Sequence, residues 1–257
     1  MNKIDHEAED KAPILTIIVC AFNEIEFIEK SINELRDSIN SQDIKVEVIV
    51  IDNGSKDGTR EWLKKFEDPS FKVILNESNL GKGGSIKKGI HLSKGKYLVI
   101  HDPDLEYKAN DIWKLLENAK QTKSTFVLGS RISTHEPRYK YLRTYLGVLF
   151  LTWLIRILYG IKISDSATAL KLMEGEFARK LNLASNGFNL DFELITRTAR
   201  LGGTFSEVAA YYEPRSFERG KKIKPFKDGI LSLIVIIRDR FLPRQSLLKP
   251  SERNHNF

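Results

Sequence analysis

A single cysteine, Cys20, stands in the 257 residues. One thiol excludes an internal disulfide and a cysteine-rich zinc site, and it suits a reducing compartment. Cys20 lies inside an apolar run, where a small buried hydrophobe is the plain expectation. Long hydrophobic runs are also missing. The longest uncharged segment, Thr144 to Ile155, has twelve residues, short of the roughly 18 that cross a bilayer. The opening MNKIDHEAEDKAP is polar and charged, so no secretory segment is expected there, and residues 1–13 are expected to be disordered. Internal repeats and low-complexity stretches are absent. A globular chain, soluble or peripheral and inside the cell, is what these absences leave as the expectation.

With 41% hydrophobic and 29% charged residues, the chain can bury the core of one large α/β domain. Its charge is uneven. Residues 1–136 hold 20 Lys/Arg against 23 Asp/Glu, whereas residues 137–257 hold 21 against 11. The basic half faces an anionic partner or is simply solvated, and magnitude alone does not choose.

Short β-branched runs at 14–20, 46–51, 71–75, 97–100 and 125–129 predict buried strands. Helix-like segments at 24–40, 57–67, 82–93 and 109–121 separate them. This alternation predicts a mainly parallel sheet with right-handed crossovers, covered on both faces. Farther on come a strand at 167–173, helices near 174–182 and 189–201, and a strand near 204–212. A basic loop (214–224) and an apolar helix near 226–241 follow. Residues 14–241 read as one domain, with 242–257 a flexible tail. Parallel sheets bind ligands beyond the carboxyl ends of their strands. The segments AFNE (21–24), DNGSKDG (52–58), NESNLGKGG (76–84) and HDPDLE (101–106) should therefore line one crevice.

Two readings stand for each polar motif. Asp52 opens either an Asx-turn leading to a helix capped by Asp57, or an acceptor for a base or ribose. NLGKGGSIKKG (79–89) is either a flexible turn or a glycine-rich helix start whose N–H groups, with Lys82, suit a diphosphate. In YLVIHDPDLEY, the acids Asp102, Asp104 and Glu106 occupy alternate positions, which share a face in extended chain. Converged carboxylates repel unless a cation sits among them. The alternatives are an exposed acidic turn and a Mg2+ or Mn2+ site bridging to a diphosphate and stabilising the leaving group.

The ordered set VCAFNE, VIVIDNGSKDGT, NLGKGGSIKKGI, GKYLVIHDPDLEY and FVLGSR resembles family-2 glycosyltransferases of the A-type (GT-A) fold. Downstream, ISDSATALKLM, GFNLDFELITRTARLG and YYEPRSFERGKKIKPFKDG resemble the branch that loads sugars onto polyprenyl or dolichyl phosphate, the dolichol-phosphate mannosyltransferases among them. The likeness covers roughly residues 14–240 and implies a Rossmann-like nucleotide-diphospho-sugar transferase fold with amphipathic membrane-interface helices at 138–163.

The resemblance implies roles for particular positions. Glu24 and Asp52 would hold the nucleoside, with Ala21, Asn23, Gly81, Arg131 and Asp191 also against the nucleotide-sugar. Lys82 would approach the diphosphate, and Asp102, which would also touch the donor, would hold the metal with Asp104 and Glu106. Asp104, Asp165, Arg215 and Lys221 would form the reacting centre, with Arg215 and Lys221 in a basic loop that closes over phosphates. Three positions depart from the family pattern: Ala21 replaces a usual Pro, Glu106 a frequent Gln, and Lys171 an Arg. Lysine is the poorer bidentate phosphate ligand.

Arg215, Arg219, Lys221, Lys222, Lys224 and Lys227 fall within thirteen residues, a solvated loop or one that neutralises meeting phosphates. The apolar 138–159 segment, with Arg138, Lys140, Arg143 and Arg156, is either a core helix or one lying on a membrane with its bases toward anionic headgroups. The implied enzyme is an inverting, metal-dependent glycosyltransferase. It would carry a sugar from a UDP- or GDP-sugar to polyprenyl (undecaprenyl or dolichyl) phosphate, peripherally bound at the cytoplasmic membrane face. A phosphate monoester, with its second pKa near ~6, is already largely an anionic nucleophile and needs no obligatory base. The alternative is a glycan hydroxyl acceptor, which would need Asp165 or Asp191 as base. A nucleic-acid partner is not expected, because it gives the acidic triplet no purpose. A homo-oligomer or a membrane-protein partner stays open.

Overall fold

The computed structural model describes residues 12–133, 141–215, 222 and 224–253. Of the segment expected to be disordered, only Ala12 and Pro13 fall among these, and Pro13 is buried, its carbonyl accepting from Lys96 N at 3.1 Å. Seven strands form one sheet in the order β3–β2–β1–β4–β6–β5–β7. They are β1 Leu15–Ala21, β2 Val46–Asp52, β3 Phe71–Leu75, β4 Tyr97–His101, β5 Phe126–Ser130, β6 Lys171–Glu174 and β7 Phe205–Ala209. All neighbours are parallel except β6, which runs antiparallel to both β4 and β5. The expected strand at 167–173 is thus shorter and reversed, since an apolar run carries no sign of its direction.

Helices α1 Ile28–Asn40, α2 Thr59–Lys65, α3 Gly81–Leu92 and α4 Asp111–Thr122 are the crossovers between the first five strands. Beyond β5 come α5 Leu142–Tyr159, α6 Gly175–Lys180, α7 Leu190–Arg200 and α8 Pro225–Phe241. Strand alternation divides the core in two. Ile17 and Val19 of β1 meet Ile32 and Leu35 of α1 and Leu115 of α4, while Ile18 faces Ile86 and Ile90 of α3 and the core side of α7. Each such aliphatic side chain contributes about 1.5–3 kcal/mol by leaving water. Gly89 brings α3 close to the sheet, because a Cβ there would lie 2.5 Å from Cγ2 of Ile18.

The expected flexible tail is corrected over 242–253. Leu247 and Leu248 are buried in the core, Asn182 N donates to Leu247 O at 2.8 Å, and Lys249 N donates to Lys180 O at 3.0 Å. Residues 254–257 lie outside the described part.

Instead of several interface helices, the 138–163 region contributes the single helix α5, with residues 134–140 outside the described part. Among the described residues α5 is the one helix long and apolar enough to cross a membrane, with mean hydropathy 1.4 and 22% of it buried. It packs against α7 and α8, and Tyr159 Oη donates to Ile236 O of α8 at 2.6 Å. The outer side of α5 exposes Leu142, Leu146, Phe150, Trp153 and Ile157. That of α8 exposes Phe226, Ile230, Ile234, Ile237 and Phe241 at the same spacing of four, four, three and four. Each set is one stripe of a helix.

Candidate active site

A cavity of about 460 Å³ opens over the carboxyl ends of β1, β2 and β4 and continues between the first turns of α5 and α8. At the end of β1, Asn23 takes a left-handed φ of 51°, and its Oδ1 accepts from Lys56 N at 2.9 Å. It shapes the turn without lining the cavity, whereas Ala21 and Glu24 line it. Glu24 accepts from Arg215 Nη1 at 2.9 Å and pairs with Lys222 Nζ.

Asp52 is fully buried and does not line the cavity. It accepts from the amides of Gly54 and Ser55 at 3.2 Å each and from Arg60 Nε at 2.7 Å. The Asx-turn reading describes it, and its expected place against the nucleoside is corrected: Arg60 has taken the carboxylate, and Asn53 is the residue that reaches the cavity. Asp57 ties the start of α2, accepting from Thr59 N and Ile25 N at 3.0 Å each.

The glycines that open α3 answer first to packing. Gly81 has φ 77°, and a Cβ there would lie 2.2 Å from Asn186 O; one on Gly83 would meet the 185–187 backbone at 2.8 Å. Two amides of this turn are already used, Gly81 N by Asn79 Oδ1 at 2.7 Å and Gly84 N by Asn186 O at 3.2 Å. The close seating points Lys82 at Asp102, Nζ to Oδ2 2.5 Å, with the ammonium 5.5 Å from the ring centre of Phe188. Burial works against the Lys82 charge, but Asp102, Asp191 and Asp104 around it hold its pKa above the usual range.

β4 ends at His101, and the acids follow in a turn with Leu105 at φ 60°. Extended-chain alternation therefore does not hold. Asp102, Asp104 and Glu106 all line the cavity, but Glu106 is also bound to the returning chain: its Oε1 accepts from Arg215 N and its carbonyl from Glu213 N, both at 2.9 Å. Arg215 spans the carboxylates, with Nη2 2.9 Å from Asp104 and Nε 3.8 Å from Glu106. Among the described residues no group of three His, Cys, Asp or Glu side chains is arranged to hold a metal. The expected three-carboxylate site is corrected to that extent: the three acids do not converge as one group, and one oxygen of Glu106 is taken by the loop.

The pair Asp102 and Asp104 fits a divalent cation. Burial, then the charges of Asp102 and Glu106, push Asp104 up to about 7 in spite of Arg215. Burial disfavours the Asp102 charge as well, but Lys82 holds it below the ordinary carboxylate range. Two buried carboxylates beside each other, one of them reluctant to ionise, are the kind of oxygen donors that Mg2+ or Mn2+ takes together with phosphate and water.

Asp165 is fully buried behind the cavity wall. It accepts from Arg131 Nε and Nη2 at 2.7 Å each, and Arg131 itself lines the cavity, 5.0 Å from the ring centre of Tyr212. The expected place of Asp165 at the reacting centre is corrected: it positions Arg131. Asp191 lines the cavity at the start of α7 and pairs at 3.0 Å with Lys171, which is fully buried behind it. Lys221 and Arg219 lie outside the described residues.

Several lining residues escaped sequence reasoning. Arg143, expected at headgroups, lines the cavity from the first turn of α5, and among the described residues it makes no ion pair. Asp228 and Ser232 line it from α8; as polar breaks in an apolar helix they were the available signal. Phe22 and Phe188 carried none.

The sequence model of the Glycosyl transferase family 2 matches residues 16–178. A dolichyl-phosphate beta-glucosyltransferase of Dictyostelium discoideum is 29% identical over 255 residues, spanning 91% of this chain and 77% of that one. An undecaprenyl-phosphate mannosyltransferase of Micrococcus luteus is 28% identical over 221 residues, spanning 81% and 86%. Among solved structures, glucosyl-3-phosphoglycerate synthase from Mycobacterium tuberculosis, in complex with Mn2+, UDP and glucosyl-3-phosphoglycerate, superposes with a TM-score of 0.66. The two share 17% identity over 95% of this chain and 85% of the other, a likeness of GT-A fold.

Proposed function

The chain belongs to glycosyl transferase family 2, and on that footing we propose that it moves a sugar from a UDP- or GDP-sugar to polyprenyl phosphate, with inversion, at the cytoplasmic face of a membrane. One observation carries the choice of acceptor. Asp165 and Asp191, the residues a hydroxyl acceptor would call on as base, are each held by a buried cation, Arg131 and Lys171. Arg131 holds the Asp165 carboxyl below its usual range, which makes it a poor proton acceptor, and a phosphate nucleophile asks for none. The relatives named for dolichyl and undecaprenyl phosphate support the same choice.

An oxygen of the acceptor phosphate forms a bond to the anomeric carbon. The bond from that carbon to the donor's β-phosphate oxygen breaks, and its electron pair leaves with the nucleoside diphosphate. No proton moves. Lys82, Arg215 and Lys222 gather where the diphosphate charge develops, and Arg131, its orientation fixed by Asp165, brings its positive charge to the side of the incoming phosphate. Mg2+ or Mn2+, held by Asp102 and Asp104, would supply further positive charge to the leaving group. The remaining gain is positioning. The twin apolar stripes of α5 and α8 support attachment to a membrane surface, with the domain on one side of both helices.

Incubation with radiolabelled UDP- and GDP-sugars, polyprenyl phosphate and Mn2+ tests the reading. Label is expected in the lipid phase with one nucleotide class. Label that enters only glycan hydroxyl acceptors, or none in lipid with any donor, refutes it.

A further inference from the structure

Almost every described glycine has a local reason to be glycine. Most would put a Cβ against a neighbour or take a positive φ, as Gly160 does with φ 69° where it closes α5. Gly147 in α5 and Gly229 in α8 alone have neither: their backbone is ordinary helix, and a Cβ would meet nothing within 4 Å. Glycine is the poorest helix former after proline, so neither packing nor backbone accounts for it there. What they share is the cavity, which both line. They occupy the two helices between which it leaves the polar floor, and the same two helices carry the exposed apolar stripes.

We propose that Gly147 and Gly229 keep open a slot through which the hydrocarbon chain of a lipid phosphate leaves the cavity. The inference rests on the proposed function and specifies the acceptor's shape, a single chain thin enough to pass between two helices. Two features favour this occupant. Arg143 lies one turn before Gly147 and so on the same face, a cation with no ion pair among the described residues, where a phosphate headgroup would sit beside its emerging chain. Beyond Gly147 the α5 wall of the cavity is apolar, with Val148 and Leu151, while α8 adds Ser232 one turn past Gly229. A bulky side chain at either glycine would therefore obstruct a long acceptor and spare one that ends inside the cavity.

The test compares the full-length protein with its Gly147→Leu and Gly229→Leu variants on polyprenyl phosphate and on a five-carbon prenyl phosphate. Leucine is the better helix former, so melting temperatures should match or exceed that of the wild type, and donor affinity by calorimetry should stay within twofold. The ratio of long-chain to short-chain transfer rate should fall at least tenfold. An unchanged ratio in both variants overturns the slot and leaves the proposed function standing. A wild type that glycosylates neither phosphate overturns both.

Discussion

Arg131 and the fully buried Asp165 form a bidentate pair: Nε and Nη2 each lie 2.7 Å from a carboxylate oxygen, and Arg131 N donates to the same group at 3.1 Å. Only Arg131 reaches the cavity. Asp165→Asn leaves a buried guanidinium without its counter-charge, a loss of about 3–5 kcal/mol, which denaturant unfolding would measure. Burial disfavours the Asp165 charge, but Arg131 outweighs it and holds the carboxyl below its usual range. Its stabilisation is therefore complete above the unfolded pKa near ~4 and is lost as pH falls through the lower folded value. The wild type should lose stability on that acid limb, and the variant should lack that part of the loss. A variant of undiminished stability with no transfer activity would instead make Asp165 a direct participant in the chemistry.

Arg215 reaches Asp104 at 2.9 Å from a loop more than a hundred residues away in sequence. A divalent cation on Asp104 must share that carboxylate with the guanidinium. Arg215→Ala should therefore tighten Mn2+ binding in the absence of donor, by roughly tenfold for a difference of about 1.4 kcal/mol. Transfer should slow by on the order of a hundredfold, the usual cost of one lost charge-stabilising donor. Calorimetry with Mn2+ and single-turnover kinetics read the two effects separately. Weaker Mn2+ binding in the variant would mean that Arg215 organises the cation site instead of competing for it.

The sheet was largely legible because its strands are short, β-branched and buried, and the loops after β1, β2, β3 and β4 announced the crevice through their polarity. What escaped depends on partners distant in sequence. Glu106 reads only as a third metal ligand, whereas the returning 213–215 segment also binds one of its oxygens, and Asp165 reads as a reacting group until Arg131 closes on it. Asp52 was ambiguous for a nearer reason, since Arg60 stands only eight residues on, yet nothing in a linear reading points its guanidinium backward. The tail looked frayed because two leucines among polar residues give no periodic signal, though both are buried in the structure.

The apolar stripes of α5 and α8 give the last prediction. Trp153 and Ile157 on one helix and Ile237 and Phe241 on the other are exposed, with fractional exposures of 55%, 59%, 45% and 80%. An apolar side chain of this size contributes at most about 1.5–3 kcal/mol when it leaves water completely, and at a bilayer surface it does so only in part. Replacing Ile157 and Ile237 with serine together should weaken binding to anionic phospholipid vesicles by about tenfold or more. Salt should weaken wild-type binding less than the double substitution does, because area burial is insensitive to ionic strength whereas headgroup attraction is screened over ~10 Å at 0.1 M. Co-sedimentation over a salt series separates the two contributions. Neither isoleucine lines the cavity, so transfer to a short, soluble prenyl phosphate should persist in the variant even as transfer to membrane-embedded polyprenyl phosphate falls. Equal vesicle binding by the two proteins would mean that the stripes face another protein and that the membrane reading of α5 and α8 is wrong.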